Sequence, residues 1–296
     1  MKTELRGTGV ALVTPFKSNG DVDFDGLKRL IDHVIEGGVE YVVSLGTTGE
    51  SATMDEDERR AVLDFTKKAV AERVPIIGGF GGNNTRAVID DIRSADLNGV
   101  SAILSVSPYY NRPTQQGIYL HYKALSEESP LPIILYNVPG RTSSNITAET
   151  TLRLAHDFSN IIAIKEASGN LGQCMDIVAG KPDGFLVISG EDELTLPMIS
   201  FGMDGVISVV ANAFPKDYSD MVRLAMQGKF SEAAVHHFAL LPIIRLLFAE
   251  GNPGGVKCAL KLLSVCGDHL RLPLANVSAK TEGVMKEAIS VVLSLT

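Results

Sequence analysis

One lysine of this chain stands at the end of an apolar run, Ile161-Ile162-Ala163-Ile164-Lys165-Glu166-Ala167-Ser168-Gly169. Read as a strand, its side chains alternate, with Ile161, Ala163 and Lys165 on one face and Ile162, Ile164 and Glu166 on the other. Where both faces are covered, an ammonium is held away from water. That is costly, and lysines in such places shift toward the neutral amine. A neutral amine attacks ketones and forms a Schiff base. The competing reading is a lysine paired to a carboxylate at a strand end, and the run alone leaves both open.

Other segments could share a site with it. Gly46-Thr47-Thr48-Gly49-Glu50-Ser51 is a plain turn or a cradle of backbone N–H groups. Tyr109 and Tyr110 are core aromatics or site residues with equal claim. Tyr136-Asn137-Val138-Pro139-Gly140-Arg141 ends another apolar run, and so does Ser189-Gly190-Glu191-Asp192. Glu166 reads as a structural carboxylate rather than a catalytic acid. Thr53-Met54-Asp55-Glu56 reads as a capping box at the start of a helix. The six histidines show no HExxH spacing, and no GxSxG elbow occurs, so metal-assisted and serine hydrolysis fall below carbonyl chemistry. The histidines read as surface or packed residues rather than metal ligands.

These residues need elements to bring them together. Short apolar runs recur at Val10-Val13, Tyr41-Leu45, Pro75-Gly79, Ala102-Val106, Ile133-Tyr136, Ile161-Ile164, Phe185-Ile188 and Val206-Val209. Segments of helical period lie between them, such as the stripe Leu27, Leu30, Ile31, Val34 and Ile35. Strand then helix, eight times over, predicts an α/β fold, a (β/α)8 TIM barrel spanning 1–228. In such a barrel the C-terminal strand ends form the active face, which is where Lys165 and the segments above fall. From 229 to 296 the pattern is helical only, which predicts an appended C-terminal helical domain.

Composition bounds the partners. The chain has 296 residues, 45% hydrophobic and 21% charged, within the range of globular proteins. A net charge of −8 without a basic run argues against nucleic acid and anionic membranes. No apolar run approaches a membrane span, and Gly9-Val13 is too short for a signal-peptide core. Cys174, Cys258 and Cys266 form no CxxC and read as buried thiols, so the expected compartment is cytoplasmic.

Taken together, Gly46-Thr47-Thr48-Gly49-Glu50, Tyr136-Asn137-Val138-Pro139, Ile164-Lys165-Glu166 and Glu250-x-Asn252-Pro253 resemble the dihydrodipicolinate synthase / N-acetylneuraminate lyase superfamily, in order and spacing, over nearly the whole chain. The resemblance implies that Lys165 forms the Schiff base, and that no metal and no diffusible cofactor is needed. The Gly46-Thr47-Thr48-Gly49-Glu50 form, Tyr109-Tyr110-Asn111 and Arg141 resemble the branch that condenses pyruvate with aspartate 4-semialdehyde in lysine and diaminopimelate biosynthesis. The alternatives are a pyruvate-type aldolase for a sugar-derived keto acid and a non-catalytic keto-acid-binding barrel. On the same resemblance, Tyr136, Thr48 and Tyr110 relay protons, with Tyr110 reaching in from a neighbouring subunit of a homo-oligomer, a dimer or a tetramer built as a dimer of dimers. Thr47 and Thr48 take the pyruvate carboxylate, Gly190 and Ile207 line its pocket, and Arg141 holds the semialdehyde carboxylate. Lysine-inhibited relatives hold the effector near the matches of Ser51, Ala52, Glu56, Arg59, Asn83, Ala87 and Tyr109. Here Ala87 lacks the expected carboxylate and Arg59 adds a cation, so weak or absent feedback is expected, with Glu56 in an exposed pair with Arg59.

Overall fold

In the computed structural model, which describes residues 5–295, eight parallel strands close into one barrel in chain order. They are β1 (Gly7–Ala11), β2 (Tyr41–Ser44), β3 (Ile76–Gly79), β4 (Ala102–Val106), β5 (Ile133–Asn137), β6 (Ile161–Glu166), β7 (Leu186–Ser189) and β8 (Gly205–Ser208). The helices are α1 (Phe24–Glu36), α2 (Glu56–Val70), α3 (Thr85–Ser94), α4 (Gln115–Glu128), α5 (Pro139–Thr142), α6 (Ala148–Asp157), α7 (Leu171–Gly180), α8 (Thr195–Ser200) and α9 (Pro215–Met226). Three more follow: α10 (Phe230–Phe248), α11 (Gly254–Leu262) and α12 (Ala279–Leu295). This is the expected (β/α)8 barrel followed by helices.

The strands are buried on both faces, which is why they read as apolar runs rather than alternating ones. Val43, Ile77, Leu104, Ile134, Ile188 and Ile207 fill the interior. The outward residues meet the helices, where Leu27, Leu30, Ile31 and Val34 of α1 form the stripe seen in the sequence. Polar residues start the helices that leave the active face: Asn84, Thr114, Thr147 and Asn170 each accept a backbone N–H of the first turn.

Four local expectations are corrected. Strand β1 begins at Gly7 rather than Val10, because glycines carry no apolar signal. A Cβ on Gly9 would lie 2.1 Å from the Tyr41 ring, which occupies the barrel interior there. Strand β6 does not alternate from its first residue. Its register with β5 slips between Ile133 and Ile134, so Ile161 joins the outer core while Ile162 and Ala163 both join the inner one. From Ala163 onward the alternation is regular, Lys165 facing inward and Glu166 outward. The capping box of α2 is Asp55 with Glu58, not Thr53 with Glu56. Thr53 closes the preceding 3₁₀ turn by donating to the Glu50 carbonyl at 2.9 Å. Finally, α10 is by length and composition apolar enough to cross a membrane, which the sequence reading discounted. Its Ala233, Leu240, Ile243, Ile244 and Leu247 are buried in the core shared with the barrel helices, while Val235 and Phe238 are exposed.

The expected division at 228/229 falls in the turn between α9 and α10. These two helices pack on each other, and residues of α10, α11 and α12 belong to the same apolar cluster as β1, β2 and α1.

Candidate active site

Lys165 and Tyr136 are register partners on adjacent strands, both facing inward. Register brings the amine to the aromatic face: Nζ lies 4.4 Å from the ring centroid. Lys165 is 6% exposed and, among the described residues, makes no hydrogen bond and no ion pair. The reading of a lysine paired to a carboxylate therefore has no partner here. Gly190 keeps the space beside it open. A Cβ at that position would lie 2.5 Å from the Ala167 Cβ and 3.0 Å from the Lys165 Cε. Ile207 is buried in the interior cluster on β8.

The outward neighbour, Glu166, is fully buried and fully engaged. It accepts from Asn137 Nδ2 at 2.9 Å, Gln173 Nε2 at 2.8 Å and the Ser168 N–H at 2.8 Å. It ties β5, β6 and α7 together behind the reactive face, the structural task anticipated for it. Glu191, at the end of β7, is held up to about 7 by burial and by the charge of Asp192, against the opposing pull of Lys165. The Asp192 carboxyl is also raised by burial, although its Oδ2 accepts from the N–H groups of Val209 and Val210.

The β2–α2 loop carries Thr47 and Thr48 on a turn with Glu50 at φ 55°. Thr14 Oγ1 fastens that turn by donating to the Gly49 carbonyl at 2.7 Å. Thr48 is buried, and its Oγ1 accepts from Asn252 Nδ2 at 2.9 Å. Thr47 is exposed and lines a cavity of about 420 Å³. Tyr136 and Arg141 line the same cavity, and Lys165 sits against the Tyr136 ring. Arg141, on α5, donates from Nη2 to the Asn252 carbonyl at 3.3 Å. No described hydrogen bond joins Thr48 to Tyr136 or to Tyr110.

Tyr109 and Tyr110 are not core residues: they are 41% and 87% exposed. Tyr109 lines the cavity; Tyr110 stands outside it in the left-handed region, at φ 69°. The cavity continues to Glu56, Arg59, Arg60 and Asp91. Glu56 pairs with Arg60, not with Arg59 as expected, and Arg59 lies 3.6 Å from Asp91. Arg60 stands four residues after Glu56 on α2, a spacing at which the two groups meet, while Arg59 is turned to Asp91 of α3. Burial pushes the Cys174 thiol up to about 12 and those of Cys258 and Cys266 to about 11, away from nucleophilic use.

Two groups at the site escaped the sequence reading of roles. Asn252 lay within a recognised motif, but its contact with Thr48 spans 204 positions of chain. The fully buried pair Lys257–Glu50 joins α11 to the loop of Thr48 across a similar gap. Neither contact has a local signal in the sequence.

A family model described as the dihydrodipicolinate synthetase family matches residues 4–292. The chain is 53% identical to a 4-hydroxy-tetrahydrodipicolinate synthase of Flavobacterium psychrophilum over 272 residues, 92% of this chain and 93% of that one. It is 48% identical to the enzyme of the same name from Phocaeicola vulgatus, covering 98% of both chains. Among solved structures, the chloride-inhibited dihydrodipicolinate synthase of Acinetobacter baumannii complexed with pyruvate superposes with a TM-score of 0.94 at 36% identity, over 97% of this chain and 99% of that one. These relatives favour the synthase reading over the sugar-acid aldolase and over a barrel without turnover. Barrel and C-terminal helices alike fall within these matches, and the chain belongs to the dihydrodipicolinate synthetase family.

Proposed function

We propose that Lys165 is the amine through which this enzyme condenses pyruvate with aspartate 4-semialdehyde. The observation that carries the assignment is a lysine buried at the active end of a barrel strand with no carboxylate on it among the described residues. The Lys165 amine adds to the pyruvate ketone, and loss of water leaves an iminium, an electron sink. The methyl carbon then gives up a proton, and the resulting enamine attacks the aldehyde carbon of the semialdehyde. Tyr136 and Thr48, with Tyr110 of a neighbouring subunit, carry the protons. Thr47 and Thr48 receive the pyruvate carboxylate, while Gly190 and Ile207 shape the space beside Lys165. Arg141 offers a planar fork to the semialdehyde carboxylate, a local cation on a chain of net charge −8. Weak feedback by lysine belongs to the same reading, since the cavity is lined by Arg59, Arg60 and Arg141 against Glu56 and Asp91.

Borohydride added to the enzyme with pyruvate tests the assignment. A reduced pyruvate adduct is expected on the peptide carrying Lys165 and is expected to vanish in Lys165→Ala. In Arg141→Ala the adduct still forms while the semialdehyde KM rises. An adduct on a different lysine refutes the mechanism.

A further inference from the structure

We infer that Asn252 is a positioning residue that sets the direction of the Thr48 proton. The inference rests on the reading of Thr48 as a relay hydroxyl. A hydroxyl has one hydrogen to donate and two lone pairs to accept with. Asn252 Nδ2 donates to Thr48 Oγ1 at 2.9 Å and so occupies one of those lone pairs. The Thr48 hydrogen has no acceptor among the described residues, and is left for a reacting group. An amide presented the other way round, carbonyl first, would take that hydrogen and close the relay.

Two further observations separate this role from mere support. The other end of the amide, Asn252 Oδ1, is buried without a hydrogen-bond partner among the described residues. A buried acceptor left unpaired is uncommon in folded proteins, and it leaves the bonding of this amide concentrated at its Nδ2 end, on Thr48. The Thr48 loop is also anchored independently. Two residues on, Glu50 is held by Lys257 and by the Arg271 N–H, and Gly49 by Thr14. The Asn252 side chain is therefore not what keeps the loop in place. Its backbone carbonyl meanwhile accepts from Arg141, a contact that a side-chain substitution leaves available. One residue of the C-terminal helical segment thus touches both the relay and the substrate clamp.

The test is a pair of substitutions read against Thr48→Val. Asn252→Asp puts an acceptor where the donor stood, and Asn252→Leu removes the donor without adding charge. Both are expected to lower kcat by roughly tenfold to a hundredfold, with the pyruvate KM near wild type and the borohydride adduct at Lys165 still formed. Because Asn252 acts through Thr48, Asn252→Leu combined with Thr48→Val is expected to be no slower than Thr48→Val alone. Wild-type kcat in both Asn252 variants overturns the inference, as do losses that multiply in the double variant. Wild-type turnover in Thr48→Val itself refutes the relay and the inference with it, while the Lys165 adduct reports separately on the Schiff base.

Discussion

Glu191, at the active face, is a carboxylate whose charge is set to change near neutrality. Burial and Asp192 raise it from 4.5 to about 7, with Lys165 opposing. A raised folded-state value means that the unfolded chain releases this proton at lower pH than the folded one. The contribution to stability is full below 4.5 and is lost as pH climbs through about 7. Glu191→Gln has no charge to bury, so its Tm is expected to exceed that of the wild type at about pH 8 and to approach it at about pH 4. Thermal unfolding at both values checks this; an equal difference at the two refutes the linkage. Lys165 shows the other side of residue-scale reading. A strand-end lysine in the sequence leaves amine chemistry and ion pairing both open, and the absence of an ion partner among the described residues is a fact about residues distant in sequence.

At the scale of elements, the barrel strands and long helices were legible because burial on two faces and helical period each leave a mark in the sequence. The failures were equally physical. The slip at Ile161 and Ile162 cannot be seen in an apolar run, where every register looks alike. The α2 cap moved two residues because Asp55 and Glu58 form the reciprocal bonds that Thr53 and Glu56 could also have formed by type. The join between α11 and the β2–α2 loop was invisible. Lys257, fully buried, pairs with Glu50, donates to the His269 carbonyl at 2.8 Å and lies 4.3 Å from the Phe16 ring centroid. Lys257→Met leaves the buried Glu50 carboxylate without its cation, with the Arg271 N–H still on it, and is expected to cost about 3–5 kcal/mol in denaturant unfolding. Adding Glu50→Gln is expected to recover part of that loss. A cost under about 1 kcal/mol would show the pair to be dispensable for docking these elements.

At the scale of the molecule, Tyr110 has a setting that one chain does not explain. It is 87% exposed and holds a left-handed backbone conformation that costs a bulky residue energy. Its proposed place is the relay of a neighbouring subunit. Two inactive variants, Lys165→Ala and Tyr110→Phe, then complement each other. In a mixed dimer the Tyr110→Phe subunit keeps its lysine and receives an intact tyrosine from its partner. Dissociating and reassociating an equal mixture is expected to restore about a quarter of wild-type turnover per subunit, as random pairing makes half the dimers mixed with one working site each. No recovery above the unmixed variants would place Tyr110 in its own subunit's chemistry or in none.

Strand count, barrel closure, the active face and the place of Lys165 at a strand end follow from the order of residues along this chain, because each depends on local period. The register slip at the start of β6, the Thr48–Asn252 bond, the Arg141–Asn252 contact and the buried Lys257–Glu50 pair belong to the tertiary structure alone. They join residues that no local pattern links, and only closure of the barrel, with the C-terminal helices packed against it, brings such groups within hydrogen-bonding distance.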